Sequence, residues 1–203
     1  KLTEMPTPPK VLISASAIGY YGERGAEELA EEAGVGEGFL PEVCREWEES
    51  TEAAASSGIR VIRLRIGIVL SPRGGALKKM LTPFKMGAGG KVGKGKQYMS
   101  WISLDDLAAS ILHCIENESI SGAVNAVAPD AVTNQVFTKT LGKVLKRPTM
   151  FPLPAFAAKL AFGEMAEALL LCSSRVVPGV LNESGFEFAH PELEGALRHL
   201  LGK

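Results

Sequence analysis

One stretch constrains this chain more than any other. It is a short apolar run followed at once by small and turn-forming residues, Val11-Leu12-Ile13-Ser14-Ala15-Ser16-Ala17-Ile18-Gly19-Tyr20-Tyr21-Gly22. Val11 to Ile13 has the length and β-branched character of a buried strand. Hydroxyl and alanine side chains come next, then a Gly-Tyr-Tyr-Gly turn, so the carboxyl end of the strand has open space beside it. Open α/β sheets take their ligands at that end of their strands. Ser14 and Ser16 face the same side of an extended chain, because side chains alternate along a strand.

The residues that follow fit a parallel sheet. Glu23, Glu27, Glu28, Glu31 and Glu32 make Gly22 to Gly38 an acidic, glycine-rich surface loop with one helical turn. Pro41 then suits the first position of a helix, and Glu42 suits its dipole. Leu40, Val43, Cys44, Trp47, Thr51, Ala54 and Ala55 share one helical face, with Trp47 expected in the core, and Gly58 ends the helix. Ile59 to Leu70 reads as one buried strand. A strand, a crossover helix and a strand make a βαβ unit.

Further on, Ala76 to Met86 reads as a short helix interrupted by Pro83, and Gln97 to Ile102 as extended. Ser103 caps a helix from Leu104, with Asp105 and Asp106 in its first turn. Leu104, Leu107, Ala108, Ile111, Leu112 and Ile115 form its expected buried stripe. Ala123 to Val127 is another strand. Thr133 caps a helix that stops at Arg147-Pro148. From Phe151 the pattern changes to a mostly helical tail, which ends in a helix from Pro191 to Leu201.

Composition excludes several classes. Of the 203 residues, 46% are hydrophobic, enough for a core and too many for disorder. A net charge of −1 argues against nucleic-acid binding. Cys44, Cys114 and Cys172 are odd in number and lack metal spacing, which suggests a reducing, cytoplasmic compartment and no metal. The most apolar window, Leu153 to Cys172, is broken by Lys159, Gly163, Glu164 and Glu167, so no membrane span is expected. The chain opens without Met on a polar segment leading into Pro6, Pro8 and Pro9, which reads as a linker inside a longer protein.

Several familiar motifs are absent. Gly90 to Lys96 spells G-x-x-x-x-G-K, but Gln97 stands where a P-loop needs Ser or Thr, and an extended segment follows. The chain contains no G-x-G-x-x-G, and neither Ser14 nor Ser16 sits in G-x-S-x-G. His113, His190 and His199 are scattered and read as structural or surface residues. The helix start accounts for Asp105 and Asp106.

Taken together, several segments carry a resemblance. They are Ser14 to Gly22, Gly74-Gly75-Ala76-Leu77, Pro83 to Gly87, Ser100-Trp101-Ile102-Ser103, Asn125 to Pro129 and Gly163-Glu164-Met165-Ala166. The chain resembles the atypical extended short-chain dehydrogenase/reductases, the nucleoside-diphosphate-sugar epimerase-like group with a small C-terminal domain. The resemblance implies an α/β fold: the C-terminal part of a Rossmann-type, doubly wound parallel sheet over residues 1–150, then a small, mostly helical domain over 151–203. It implies NADP(H), with the phosphate-binding half outside this chain. On the same grounds Ser16 matches the catalytic Ser/Thr position, and Ser14, Ala15, Ser16, Arg65, Ile66 and Gly67 fall on the cofactor side. Tyr20, Phe84 and Trp101 fall on the substrate side.

On the same resemblance the family's Tyr-x-x-x-Lys pair is missing: Cys44 stands at or near the tyrosine position and Glu48 at the lysine position. A carboxylate raises a neighbour's pKa where a lysine lowers it, so the usual acid/base pair is absent and Tyr20 or Tyr21 is the candidate substitute. Two functions follow as expectations. One is an NADP(H)-binding protein with oxidoreductase or sugar-nucleotide-epimerase-like activity on an unidentified small molecule. The other is a catalytically silent NADP(H)-dependent sensor or interaction module, in line with the cell-division label some family members carry. The expected partners are that small molecule and either the missing N-terminal segment or a second copy of the chain.

Overall fold

The computed structural model describes residues 5–154 and 171–203. Its first half runs β1 (Val11–Ala17), a single 3-10 turn (Ile18–Tyr21), β2 (Glu28–Leu29), α1 (Phe39–Glu49), α2 (Glu52–Ser56), β3 (Arg60–Ile66) and β4 (Ile68–Leu70). Then come α3 (Gly75–Lys85), β5 (Tyr98–Met99), β6 (Trp101–Ser103), α4 (Leu104–Glu116), β7 (Gly122–Ala126), β8 (Val132–Thr133) and α5 (Asn134–Leu145). The last described elements are β9 (Arg175–Val176), α6 (Gly179–Glu183) and α7 (Leu193–Leu201).

The opening run is an edge strand among the described residues. β1 pairs in parallel with β3, and β3 with β7, giving the order β1-β3-β7. The register sets Ser16 beside Arg65, and Arg65 beside Asn125. All three strands therefore deliver a polar side chain to the carboxyl end of the sheet. One core combines Ile62, Leu64 and Val124 of the sheet with Leu107 and Cys114 of α4. A second is built on Trp101, Leu77, Phe84, Phe137, Leu141 and Leu197, which α3, β6, α5 and α7 supply. The tail is thus integrated with the rest: α7 shares a core with α3 and α5, and β9 pairs with β2.

Several details depart from the sequence reading. Ile59 to Leu70 is not one strand. The chain changes partners at Gly67, whose N–H donates to Ala126, while Ile68 donates to Ser100. A Cβ at Gly67 would lie 2.7 Å from Val127 Cγ1 and 2.8 Å from the Ser100 carbonyl, so only glycine allows the switch. The acidic loop contains β2, and Leu29 is fully buried. Trp47 is 56% exposed rather than core. In α4, Leu104, Leu112 and Ile115 are exposed, whereas Asp106, Leu107, Ser110 and Cys114 are buried. Pro83 sits inside a continuous α3. Most of the expected helical tail lies outside the described residues.

The two predicted caps are present. Ser103 accepts from the Asp106 N–H at 2.9 Å, and Thr133 accepts from that of Val136 at 3.3 Å. Asp106 does more than complement a helix dipole. Its carboxylate accepts from Ser103 Oγ and from the backbone N–H groups of Ala189 and His190, at 2.8, 2.8 and 3.1 Å. At the other end of α4, Arg60 donates to the carbonyls of Cys114, Ile115, Asn117 and Ile120 at 2.8–3.2 Å. A cation on the orphan carbonyls of a helix C-terminus is favourable. Arg60→Ala should therefore cost about 1–3 kcal/mol in urea unfolding. It should also speed amide exchange in the last turn of α4, and an unchanged midpoint would refute this capping role.

Candidate functional site

Ser16, Glu48, Arg65, Tyr21 and Asn125 form one hydrogen-bonded cluster where the three strands end. α1 brings Glu48 over β1, and Ser16 Oγ donates to Glu48 Oε1 at 2.8 Å. Arg65 grips the same carboxylate with both arms, Nε to Oε1 and Nη2 to Oε2, each at 2.9 Å. Its Nη1 donates to Tyr21 Oη at 2.9 Å and to the Glu31 carbonyl at 3.1 Å. Tyr21 passes its own proton to Asn125 Oδ1 at 2.7 Å, and Asn125 Nδ2 donates to the Val177 carbonyl. Four of the five N–H donors of Arg65 are therefore used inside the protein.

The acidic loop closes this cluster from outside. Glu31 Oε1 accepts from the backbone N–H groups of Asn125 and Val180 at 2.9 and 3.1 Å. Gly36 donates its N–H to the Tyr20 carbonyl, and a Cβ there would collide with the carbonyl of Tyr21. The Tyr20 ring is half-buried and lies under the Arg65 guanidinium, 3.6 Å from Cζ to the ring centroid. Arg65 thus meets Tyr20 through its π face and Tyr21 through its hydroxyl.

Burial sets the protonation states. It pushes the Tyr21 phenol above its ordinary pKa, against the opposing pull of Arg65. It also pushes the Cys44 thiol up, and the Glu48 charge adds to that while a backbone hydrogen bond to Ala17 opposes it. For Arg65, burial pulls downward, but the bonds to Glu48 and Tyr21 outweigh it, and the guanidinium stays firmly charged. The cluster is thus a compensated ion pair surrounded by a neutral phenol and a neutral thiol.

The predicted site residues fall into two groups. Ser16 sits in this cluster, Ser14 is half-buried and Ala15 exposed on the same strand, and Ile66 and Gly67 are partly exposed at the end of β3. Arg65, expected on the cofactor side, instead spends its guanidinium on Glu48, the tyrosines and Glu31. Phe84 and Trp101, expected at the substrate cleft, are core residues, 5% and 0% exposed. Trp101 Nε1 is bound to the Asp130 carbonyl at 2.7 Å. Their side chains point into packing between α3, β6, α5 and α7. Tyr21 enters the sequence reading only as an alternative to Tyr20, and Asn125 not as a site residue at all. The available signal was an arginine inside the apolar run Val61-Ile62-Arg63-Leu64-Arg65-Ile66, since a buried cation requires partners.

Two outcomes follow. Replacing Glu48 with Leu leaves Arg65 buried and unpaired, and should cost about 3–5 kcal/mol in denaturant unfolding; Glu48→Gln should cost less, because it keeps a hydrogen-bonding shape. Alkaline titration followed by phenolate absorbance should show a tyrosine ionising after the others, a phase that Tyr21→Phe removes. Because the folded-state pKa of Tyr21 is raised, its contribution to stability is intact below the unfolded value of about 10 and is lost as pH climbs through the folded one.

Comparison with known proteins agrees with this architecture. Residues 153–200 match the family model described as domain of unknown function DUF1731. An epimerase family protein of Mycobacterium bovis is 44% identical over 186 residues, which cover 92% of this chain and 62% of the relative. The human epimerase family protein SDR39U1 is 33% identical, with 98% of this chain and 68% of the relative covered. The crystal structure of human SDR39U1 (isoform 2), solved with NADPH, superposes with a TM-score of 0.91 at 31% identity, covering 100% of this chain and 68% of that one. The chain thus spans about two-thirds or less of the length of these relatives. On this evidence the chain belongs to the SDR39U1-type epimerase family, an atypical short-chain dehydrogenase/reductase group with a Rossmann-like α/β fold.

Proposed function

We propose that this chain carries the nicotinamide and substrate side of an NADP(H)-dependent site that acts on a hydroxyl-bearing small molecule, in the oxidoreductase or epimerase class. The single observation that carries this reading is the Ser16–Glu48 hydrogen bond. Ser16 has one proton and two lone pairs. Its proton is committed to a carboxylate, so toward a ligand it acts as an acceptor. A substrate hydroxyl would donate to Ser16 Oγ and be oriented by it.

The residues at the strand ends suit a flat cofactor ring. Ser14, Ala15 and Ser16, with Ile66 and Gly67 on the neighbouring strand, present small side chains or backbone where open α/β sheets receive ligands. NADP(H), when bound, would supply or accept hydride. The human relative was solved with NADPH, which supports that cofactor over NAD for this chain. No Gly-rich phosphate loop occurs in these 203 residues, so pyrophosphate binding is assigned to residues outside them. Tyr20 is the acid/base candidate. Its hydroxyl makes no hydrogen bond to a described residue, and its ring rests on Arg65.

A second reading, a catalytically silent cofactor sensor, is favoured by the two groups that burial keeps protonated. Cys44 stands at the family's tyrosine position and Tyr21 lies beside Arg65; both have raised pKa values, and neither is poised to move a proton at neutral pH.

Cofactor-fluorescence titration separates the possibilities. A longer version of the protein, matched in length to its relatives, should bind NADPH in the micromolar range, and this chain alone far more weakly. Absence of binding at high micromolar NADPH would overturn the cofactor assignment. Against a panel of alcohols and nucleoside-diphosphate sugars, Ser16→Ala should lower turnover by roughly 100-fold or more while leaving NADPH binding intact. Binding without turnover in the unsubstituted protein would favour the sensor.

A further inference from the structure

Two of the chain's three histidines meet a carboxylate outside the serine cluster's hydrogen-bond network. Asp105 lies in the first turn of α4, His190 in the connection before α7, and His199 in the last turn of α7. His199 Nε2 is 2.9 Å from Asp105 Oδ2. The imidazoles of His190 and His199 stack at 4.1 Å between centroids, 27° from parallel. One ligand atom from each of the three residues lies within 4.8 Å of the others, and no other described residues form such a group.

We propose that Asp105, His190 and His199 bind a divalent transition-metal ion, zinc being the best fit, and that the ion clips α7 to α4. Two imidazoles and one carboxylate suit zinc and its neighbours and disfavour the hard ions magnesium and calcium. Tetrahedral zinc with bonds of about 2.1 Å needs ligand atoms roughly 3.4 Å apart. The Asp105–His199 pair is already closer than that. His190 needs only a side-chain rotation out of the stack, and all three side chains are partly open to solvent. Water would fill the remaining position.

The backbone on which His190 rides is already fixed. The buried carboxylate of Asp106, next to Asp105, accepts from the N–H groups of Ala189 and His190 at 2.8 and 3.1 Å. Asp106 is itself locked into the cap by Ser103. One helix start therefore supplies a ligand with Asp105 and, with Asp106, holds the peptide of a second. His199 is positioned separately, by the packing of α7 against α5 through Leu193, Ala196 and Leu197. Such preorganisation reduces the ordering cost of binding.

The proposal is tested on this chain with metal alone. Cobalt(II) titration should give one tetrahedral site per chain, with visible ligand-field bands and no thiolate charge-transfer band. His190→Gln, His199→Gln and Asp105→Asn should each weaken binding by roughly 10-fold or more, whereas Cys172→Ser should leave it unchanged. Zinc should raise the melting temperature of the unsubstituted chain and not that of the His190→Gln/His199→Gln variant. No binding at millimolar metal, or binding that survives the double histidine substitution or is lost in Cys172→Ser, would overturn the proposal.

Discussion

The bidentate pair between Glu48 and Arg65 is the contact on which the functional end of this protein depends. Both side chains are almost fully buried, at 9% and 5% exposure. Desolvating two charges is costly, and their attraction offsets that cost only when the geometry is good and the remaining donors and acceptors are filled. Here they are filled. Glu48 accepts twice from Arg65 and once from Ser16, and Arg65 also donates to Tyr21 and the Glu31 carbonyl. The pair thereby joins β1, the crossover helix α1, the central strand β3 and, through Tyr21 and Asn125, β7. A hydrophobic pair of similar volume could hold the elements together as well. It could not direct the Ser16 proton.

Much of the architecture was readable in the sequence because its causes are local. β1 and β3 are short runs that carry β-branched residues, β7 is a short run of small residues around Val124, and the caps at Ser103 and Thr133 are decided within one helical turn. What escaped was long-range. The apolar positions of α4 suggested a stripe through Leu104, Leu112 and Ile115, yet these are exposed, while Asp106 and Ser110 are buried. Periodicity treats polar residues as outward-facing, but these two are satisfied in place: Ser110 donates to the Leu107 carbonyl, and Asp106 gathers the cap and the 189–190 peptide. Trp47 failed for the opposite reason. It shares the helical face of Cys44 in projection, but nothing described in the chain covers it.

The site was legible in part, and the division has a physical logic. The resemblance singles out segments by their residues, not by the contacts those residues make. It did not give side-chain direction. Phe84 and Trp101 point into the core, since large apolar side chains gain most by leaving water. Ser16 stands out in the sequence as a small hydroxyl residue at a strand end, and the structure adds its bond to Glu48. Arg65 was placed at the right end of the right strand, but its partners, from α1, the 3-10 turn and the acidic loop, lie 17 to 44 residues away in sequence.

Glu48 brings a negative charge to the end of the sheet, and the fold compensates for it. A cation beside a tyrosine favours the ionised form of its phenol. Here the cation comes from β3 as Arg65 and is neutralised by Glu48 before it reaches Tyr21, whose buried phenol stays protonated. The carboxylate, meanwhile, is the charged group nearest Ser16. A serine that donates to a carboxylate has only its lone pairs left for any further partner. The ion pair that joins the strands therefore also fixes the direction in which Ser16 donates.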